Sequence, residues 1–331
     1  MWACVSQLEN RFETARQIGL LLALVTVFTL NLGCQKLIMS GIQDRITPSN
    51  NRDWTPEVAT VPFAEISGPQ YTLRNIRNCN YVTAEDYVVE YYDRQIQIDQ
   101  IQSVDFIVVP FNNTPRLAHT MISFGLNDGS YLAVSIEVRK ERGEKYNALL
   151  GAGRKFELIY VLSDERDVIR LRTKYRNSDV YVYPTVASPQ QSRALFADVI
   201  SRVNKLAVEP EFYNSINNNC TTNLAGHVNQ VSPDKITYGW KVLLPGFSAE
   251  YAYDLGLLDN RIPFEDLTSI ALVNDLAEAN FEDPQFSQKI RGRRDRIDRY
   301  LDRHTMREPT LNGRGDEFLQ IQRRPRRTLM R

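Results

Sequence analysis

The chain is predicted to fold as an α+β protein, an antiparallel sheet with helices packed on it, and three observations carry that prediction. Runs dense in Val, Ile, Tyr and Phe recur between residues 86 and 186. Two of these runs are joined by a hairpin signal, and capped segments of helical periodicity come mostly after the strands instead of alternating with them. With 331 residues, 43% hydrophobic and 24% charged, the chain is long enough to bury a substantial core. Lys+Arg and Asp+Glu balance at 40 each, so the whole-protein field offers no general attraction to nucleic acid, and no nucleic-acid partner is expected.

The first element in order is an uncharged apolar run, Ile18–Cys34, lying between Arg16 and Lys36. It reads as a signal-peptide core or a short membrane anchor. Its Gly33-Cys34 end resembles the lipidation box of bacterial lipoproteins, with Asn31 and Leu32 departing from that pattern. Each of these readings puts the body on the periplasmic face of a bacterial envelope, in a disulfide-permissive space. Residues 1–40 are therefore assigned to the leader and 41–62, polar and proline-containing, to an extended linker. Residues 63–283 form the folded body, and 284–331, rich in arginine and poor in large apolar residues, a solvated tail.

Within the body, strands are expected at "DYVVEYYD", "SVDFIVVPF", "LAHTMISFGL", "YLAVSIEVRK" and "KFELIYVL", with "NDGS" turning the third into the fourth. "SDERDVIRLRTKYR" is expected to be a helix entered at an Asp/Ser cap, and "DVYVYPTV" a further strand. A helix follows from Pro189, with Ser188 as N-cap and Leu195, Val199 and Val203 on one face. Another starts at Cys220, and a third covers "FEDLTSIALVNDLAEA".

The chemistry converges on "NNNCTTNL", Asn217–Leu224. Read as a helix, Cys220, Leu224, Val228 and Val231 form one apolar stripe with the thiol at its amino end. There the unsatisfied backbone N–H groups and the positive end of the helix dipole favour a thiolate and could hold an oxyanion. A thiol nucleophile needs a base, and the chain has three histidines. His304 lies in the basic tail, and His227 is roughly 10 Å up the same helix. His119, on the strand "LAHTMISFGL", is the candidate. A three-residue loop at "NDGS" would set Glu137 opposite His119, where it could orient the imidazole. A two-residue loop would set Val138 there, leaving Ser135 as the fallback.

The opposing readings are structural. A lone strand histidine is more often a satisfied core residue than a base, and Cys220 could be stapled to Cys79, since Cys4 and Cys34 belong to the leader. No His-Glu-x-x-His, paired Cys-x-x-Cys, P-loop or glycine-rich dinucleotide turn is present, so neither a metal nor a cofactor is expected.

The blocks "NIRNCNY", "SVDFIVVPF", "LAHTMISFGLNDGSYLAVSIEVRKERGEKY", "FELIYVLSDERDVIRLRT", "PEFYNSINNNCTTNL" and "LLPGFSAEYAYDLGLL" resemble the bacterial Lnb N-terminal periplasmic domain, over roughly Trp54 to Leu258. That resemblance implies a permuted, papain-like fold of the NlpC type, in which a strand histidine precedes a helix-capping cysteine, as His119 precedes Cys220. It also implies acyl transfer to lipoproteins, with a membrane lipid or lipoprotein as substrate.

The expected function is accordingly that of a membrane-anchored thiol acyltransferase or hydrolase of the cell envelope, with Cys220, His119 and Glu137 as its site. One rival is a cell-wall peptide amidase acting on peptidoglycan. The other is a non-catalytic envelope binding module with a Cys79–Cys220 disulfide. An apolar groove near Cys220 would favour the lipid substrate, and an open polar cleft the cell-wall peptide.

Overall fold

A computed structural model describes residues 47–145, 155–233 and 235–305. The apolar run Ile18–Cys34 lies outside the described residues. The first strands are β1 (Phe63–Ser67), β2 (Gln70–Arg77), β3 (Asn80–Tyr81), β4 (Tyr87–Val88) and β5 (Tyr91–Gln97). They are followed by β6 (Ile101–Phe111), β7 (Thr114–Leu126), β8 (Tyr131–Arg139), β9 (Glu157–Asp164) and β10 (Tyr181–Pro184). The main sheet has the order β1-β2-β9-β8-β7-β6-β10, with β5 also paired to β2, and β3 and β4 form a separate pair. Every pairing is antiparallel except the single rung between β2 and β9, Arg77 with Ser163. The expected antiparallel sheet is therefore present, enlarged by β1 and β2, which are joined by a two-residue turn with Gly68 at φ +56°.

Side-chain alternation gives this sheet two covered faces. On one, Val104, Ile122, Phe124, Val134, Ile136 and Tyr160 pack with Leu195, Phe196, Val199 and Val203 of α2 (Pro189–Val208) and with Leu224 of α3 (Cys220–Val231). Its opposite face brings Ile107, Val109, Met121 and Ala133 against Val168 and Ile169 of α1 (Glu165–Arg170). Helix α2 begins at a capping box formed by Ser188 and Gln191, and α1 is capped by Asp164, which accepts from the Arg166 N–H.

The remaining helices are α4 (Trp240–Leu243), α5 (Ser248–Asp254), α6 (Phe264–Ala271), α7 (Asn274–Asn280), α8 (Phe286–Lys289) and α9 (Asp295–Thr305). The single helix expected over "FEDLTSIALVNDLAEA" is two. The chain extends between α6 and α7 because Leu272 bridges to Tyr181, and the Val273 N–H donates to the Val180 carbonyl. Pairing along the edge of β10 outweighs helix continuity there.

The body also reaches further at both ends than composition suggests. Before Phe63, Trp54 is buried beneath the Arg139 guanidinium, whose centre lies 4.3 Å from the ring, and the Ser49 N–H donates to Glu157. Beyond Pro284, Phe286, Ile290 and Ile297 are buried. Arg291, also buried, donates to Asp105 of β6 at 2.8 Å and to both oxygens of Glu165, while Arg294 pairs with Asp105 at 2.8 Å. A segment that reads as solvated on charge alone thus supplies the counter-ions of two buried carboxylates, which burial would otherwise make costly.

Candidate active site

Helix α3 starts where an asparagine network holds the chain. Asn219 is the N-cap: its side chain accepts from the Thr222 N–H at 3.0 Å, and the Thr222 hydroxyl accepts from the Asn219 N–H at 2.9 Å. Asn218 donates to the Phe212 carbonyl and accepts from Asn223. The polar run before Cys220 therefore builds the cap, which leaves the first-turn N–H groups of Cys220 and Thr221 without intrahelical partners. Cys220 itself is 7% exposed.

The hairpin between β7 and β8 sets the register. Gly125 faces Tyr131 and the Leu126 N–H donates to the Ser130 carbonyl, so the loop is the three residues Asn127–Gly129, with Gly129 at φ +79°. Extending that register places Glu137 across from His119. Paired rungs between β7 and β8 nevertheless stop at Met121 and Ser135, although β7 goes on pairing with β6 and β8 with β9. His119 belongs to the sheet face opposite α3. Where the strands part, the Cys220 thiol and His119 act on each other electrostatically, and the Cys220 Sγ lies 3.8 Å from the Thr221 hydroxyl.

On its other side His119 is held by a short polar chain. Its Nε2 lies 2.7 Å from the Ser135 hydroxyl and 3.4 Å from Glu137 Oε1, and Ser135 donates to the same carboxylate oxygen at 2.6 Å. Because the serine proton goes to Glu137, the Nε2 contact is a donation from the ring. Arg172, in the π-helical turn that continues α1, donates to Glu137 at 2.9 Å and to the Val168 carbonyl at 3.0 Å.

These contacts determine the charges. Burial disfavours the imidazolium, but the Glu137 charge and the hydrogen bonds to Cys220 and Glu137 outweigh it, raising His119 from its ordinary 6.5 to about 9. Burial likewise opposes a thiolate, yet the hydrogen bond and charge of His119, with help from Thr120, lower Cys220 from 9.0 to about 7. Glu137 is held well below the usual carboxylate range against its burial, chiefly by His119. Between about pH 7 and 9 the favoured state is a thiolate beside an imidazolium.

The other thiol is different in kind. Cys79 packs with Tyr81 and Leu171, away from Cys220, and burial together with Asp167 pushes it up to about 12. Both cysteines are free, so the expected alternative of a Cys79–Cys220 disulfide is corrected: the thiols sit in separate clusters. His227, the histidine set aside for distance, is bound through Nδ1 to Asp198 at 2.6 Å and through Nε2 to the Tyr160 hydroxyl at 2.8 Å. Burial lowers its pKa despite Asp198.

Beside the cysteine runs a cavity of about 220 Å³. One wall is α3, through Thr221, Leu224, Ala225, Val228 and Val231, a span of roughly 15 Å along the helix. The facing walls include Val104, Phe106, Ile122, Val186 and Val242. Thr221 joins this groove to the site, since its hydroxyl lies 3.3 Å from that of Thr120. On its other flank α3 borders a polar cleft lined by Asp198, Arg202, Asn217, Asn223 and His227. Among the described residues no cluster of His, Cys, Asp and Glu is arranged to hold a metal.

Ser135 stood in the sequence only as a fallback partner, and Arg172 was not singled out. Burial of an arginine within a strand-to-helix segment has no local signal. Only the β8–α1 packing brings Arg172 to Glu137.

The fold is an α+β domain in which a buried cysteine at the start of α3 lies beside an apolar groove that its neighbour Thr221 lines. Residues 87–246 match the family described as the Lnb N-terminal periplasmic domain, a match that supports a place in the cell envelope. His119, Ser135, Glu137, Arg172 and Cys220 all fall inside the match. Searches of curated proteins and of solved structures gave no match.

Proposed function

We propose that this envelope protein is a thiol acyltransferase or hydrolase that takes an acyl chain from a membrane lipid. The carrying observation is the Cys220 thiol at the amino end of α3, its acidity raised by a histidine whose Nε2 is tied through Ser135 to Glu137. That arrangement matches the needs of an activated nucleophile, its base and an orienting carboxylate.

The thiolate attacks the ester carbonyl, and the N–H groups of Cys220 and Thr221 hold the tetrahedral oxyanion. As the C–O bond breaks, His119 gives its proton to the departing alcohol, leaving a thioester on Cys220. An amine or water then attacks the thioester. His119 takes the incoming proton, and the thiolate is released. Glu137 and Ser135 hold the imidazole, and Arg172 keeps Glu137 ionised.

The groove selects the substrate class. A wall of Leu224, Ala225, Val228 and Val231 suits a hydrocarbon chain and offers few partners to a cell-wall peptide. The permuted papain-like fold and the N-terminal anchor belong to this same reading.

The test is alkylation of the full-length protein across pH with iodoacetamide, with peptide mapping of Cys220, in the wild type and His119→Ala. Half-maximal alkylation of Cys220 near pH 7 in the wild type, moving up by more than one pH unit in His119→Ala, is expected. An acyl thioester on Cys220 should follow incubation with phospholipid. A Cys220 that alkylates identically in both proteins, or only after reduction, removes the reading.

A further inference from the structure

Large apolar side chains left in water cluster beside the groove. Ile216 is 53% exposed, Tyr238 54%, Trp240 58% and Leu243 39%. They come from the loop leading to Cys220 and from the loop and short helix α4 that follow α3, and the Tyr238 hydroxyl donates to the Ile216 carbonyl at 2.8 Å, joining the two segments into one lip. The lip is also anchored. The Asn229 side chain both donates to the Ile236 carbonyl and accepts from its N–H, and the Trp240 ring stands edge-on to Phe247 at 5.4 Å. A Cβ on Gly246 would fall 2.1 Å from the Pro115 carbonyl oxygen, so the segment after α4 is seated directly on the start of β7.

Such a patch is unusual on a surface facing only water. Its neighbours in sequence, Ile236, Lys241 and Val242, line the groove, so the lip is the rim of the groove. Its chemistry is interfacial: Trp and Tyr present an apolar body with a polar tip, and the Lys241 ammonium lies over the Trp240 and Tyr251 rings. Lys241 is paired with Asp254 at 2.8 Å, so the apolar and aromatic side chains and not a net charge carry the contact. The apolar run Ile18–Cys34, read as an anchor, ends thirteen residues before the described body begins, a reach of at most about 45 Å.

We infer that Ile216, Tyr238, Trp240 and Leu243 form a docking lip that rests in the headgroup–acyl boundary of the bilayer and presents the groove to lipid chains. The inference rests on the proposed function only for the direction of lipid entry, and docking can be tested apart from chemistry. Trp54 is buried, so in a Trp2→Phe background of the full chain Trp240 reports the lip.

In phosphatidylethanolamine–phosphatidylglycerol proteoliposomes, the part of the emission lost on adding Trp240→Phe should be blue-shifted relative to detergent-free peptide. It should be quenched at least twofold by acyl-brominated lipid. Emission from Trp240 that stays at the water-exposed position and resists brominated lipid overturns the inference and leaves the lip to a protein contact. As a second measurement, Trp240→Ser with Leu243→Ser should lower acyl uptake from vesicle lipid at least tenfold while Cys220 alkylates at the wild-type rate. Uptake equal to wild type also overturns it. A Cys220 unreactive in every protein would instead defeat the chemistry and leave the quenching result to stand alone.

Discussion

His119 and Glu137 lie across from each other two residues past the last rung of the β7–β8 ladder, with His119 Nε2 3.4 Å from Glu137 Oε1. A carboxylate at this point settles which ring nitrogen carries a proton and raises the basicity of the ring.

Glu137→Gln removes that charge. The imidazolium loses its main support, so the high-pH limb of Cys220 acylation, set by His119 near pH 9 in the wild type, should move down. The maximal rate should fall by about 10²-fold, within the usual contribution of a positioned acid–base group. A pH–rate profile of thioester formation checks this, and an unshifted upper limb would remove Glu137 from the site.

The same pair predicts an unusual pH dependence of stability. His119 has a raised folded pKa, so its contribution is full below 6.5 and is lost as pH rises through about 9. Cys220 has a lowered one, so its contribution is present above 9.0 and is lost as pH falls through about 7. Between 7 and 9 the two slopes oppose each other, and the pair contributes a nearly flat profile. Cys220→Ser removes the thiol's slope and part of His119's support, so urea midpoints should decline from pH 6.5 upward more steeply than in the wild type and level off below pH 9. Parallel profiles would contradict the charge state described.

Ala225→Phe puts a ring into the groove without touching Cys220. Turnover of long-chain esters should fall at least tenfold while a short-chain ester is processed at close to the wild-type rate. Equal losses on both would mean that the groove does not hold the chain.

Much of this was legible in the sequence because local rules govern it. The β-rich runs, the Ser188 and Asp164 caps and the stripe from Cys220 to Leu224 each depend on neighbours a few residues apart. Glu137 was legible only conditionally, since one residue of loop length decides whether it or Val138 faces His119. The groove was not legible: its walls come from residues near 104, 186, 224 and 242, and no local pattern records their meeting. Arg291 was misleading for a related reason, because charge in a sequence reads as solvation until its buried partner is known.

Arg291→Met leaves Asp105 and Glu165 buried with Arg294 as the remaining guanidinium on Asp105. Breaking one side of a buried ionic cluster costs on the order of 3–5 kcal/mol. Urea denaturation should show that loss, whereas an exposed arginine such as Arg142 changed to Met should cost little. A midpoint unchanged by Arg291→Met would mean the cluster is solvated.

The distance in sequence between those carboxylates and their arginines has a consequence for biogenesis. Asp105 waits 186 residues for Arg291, and Glu165 waits 126. As the chain emerges amino end first, the central strands appear with acids that have no counter-ions, and the core cannot seal around them. Maturation is therefore timed by the arrival of the carboxyl-terminal helices, and a chain interrupted before residue 291 would remain open to the proteases of the envelope.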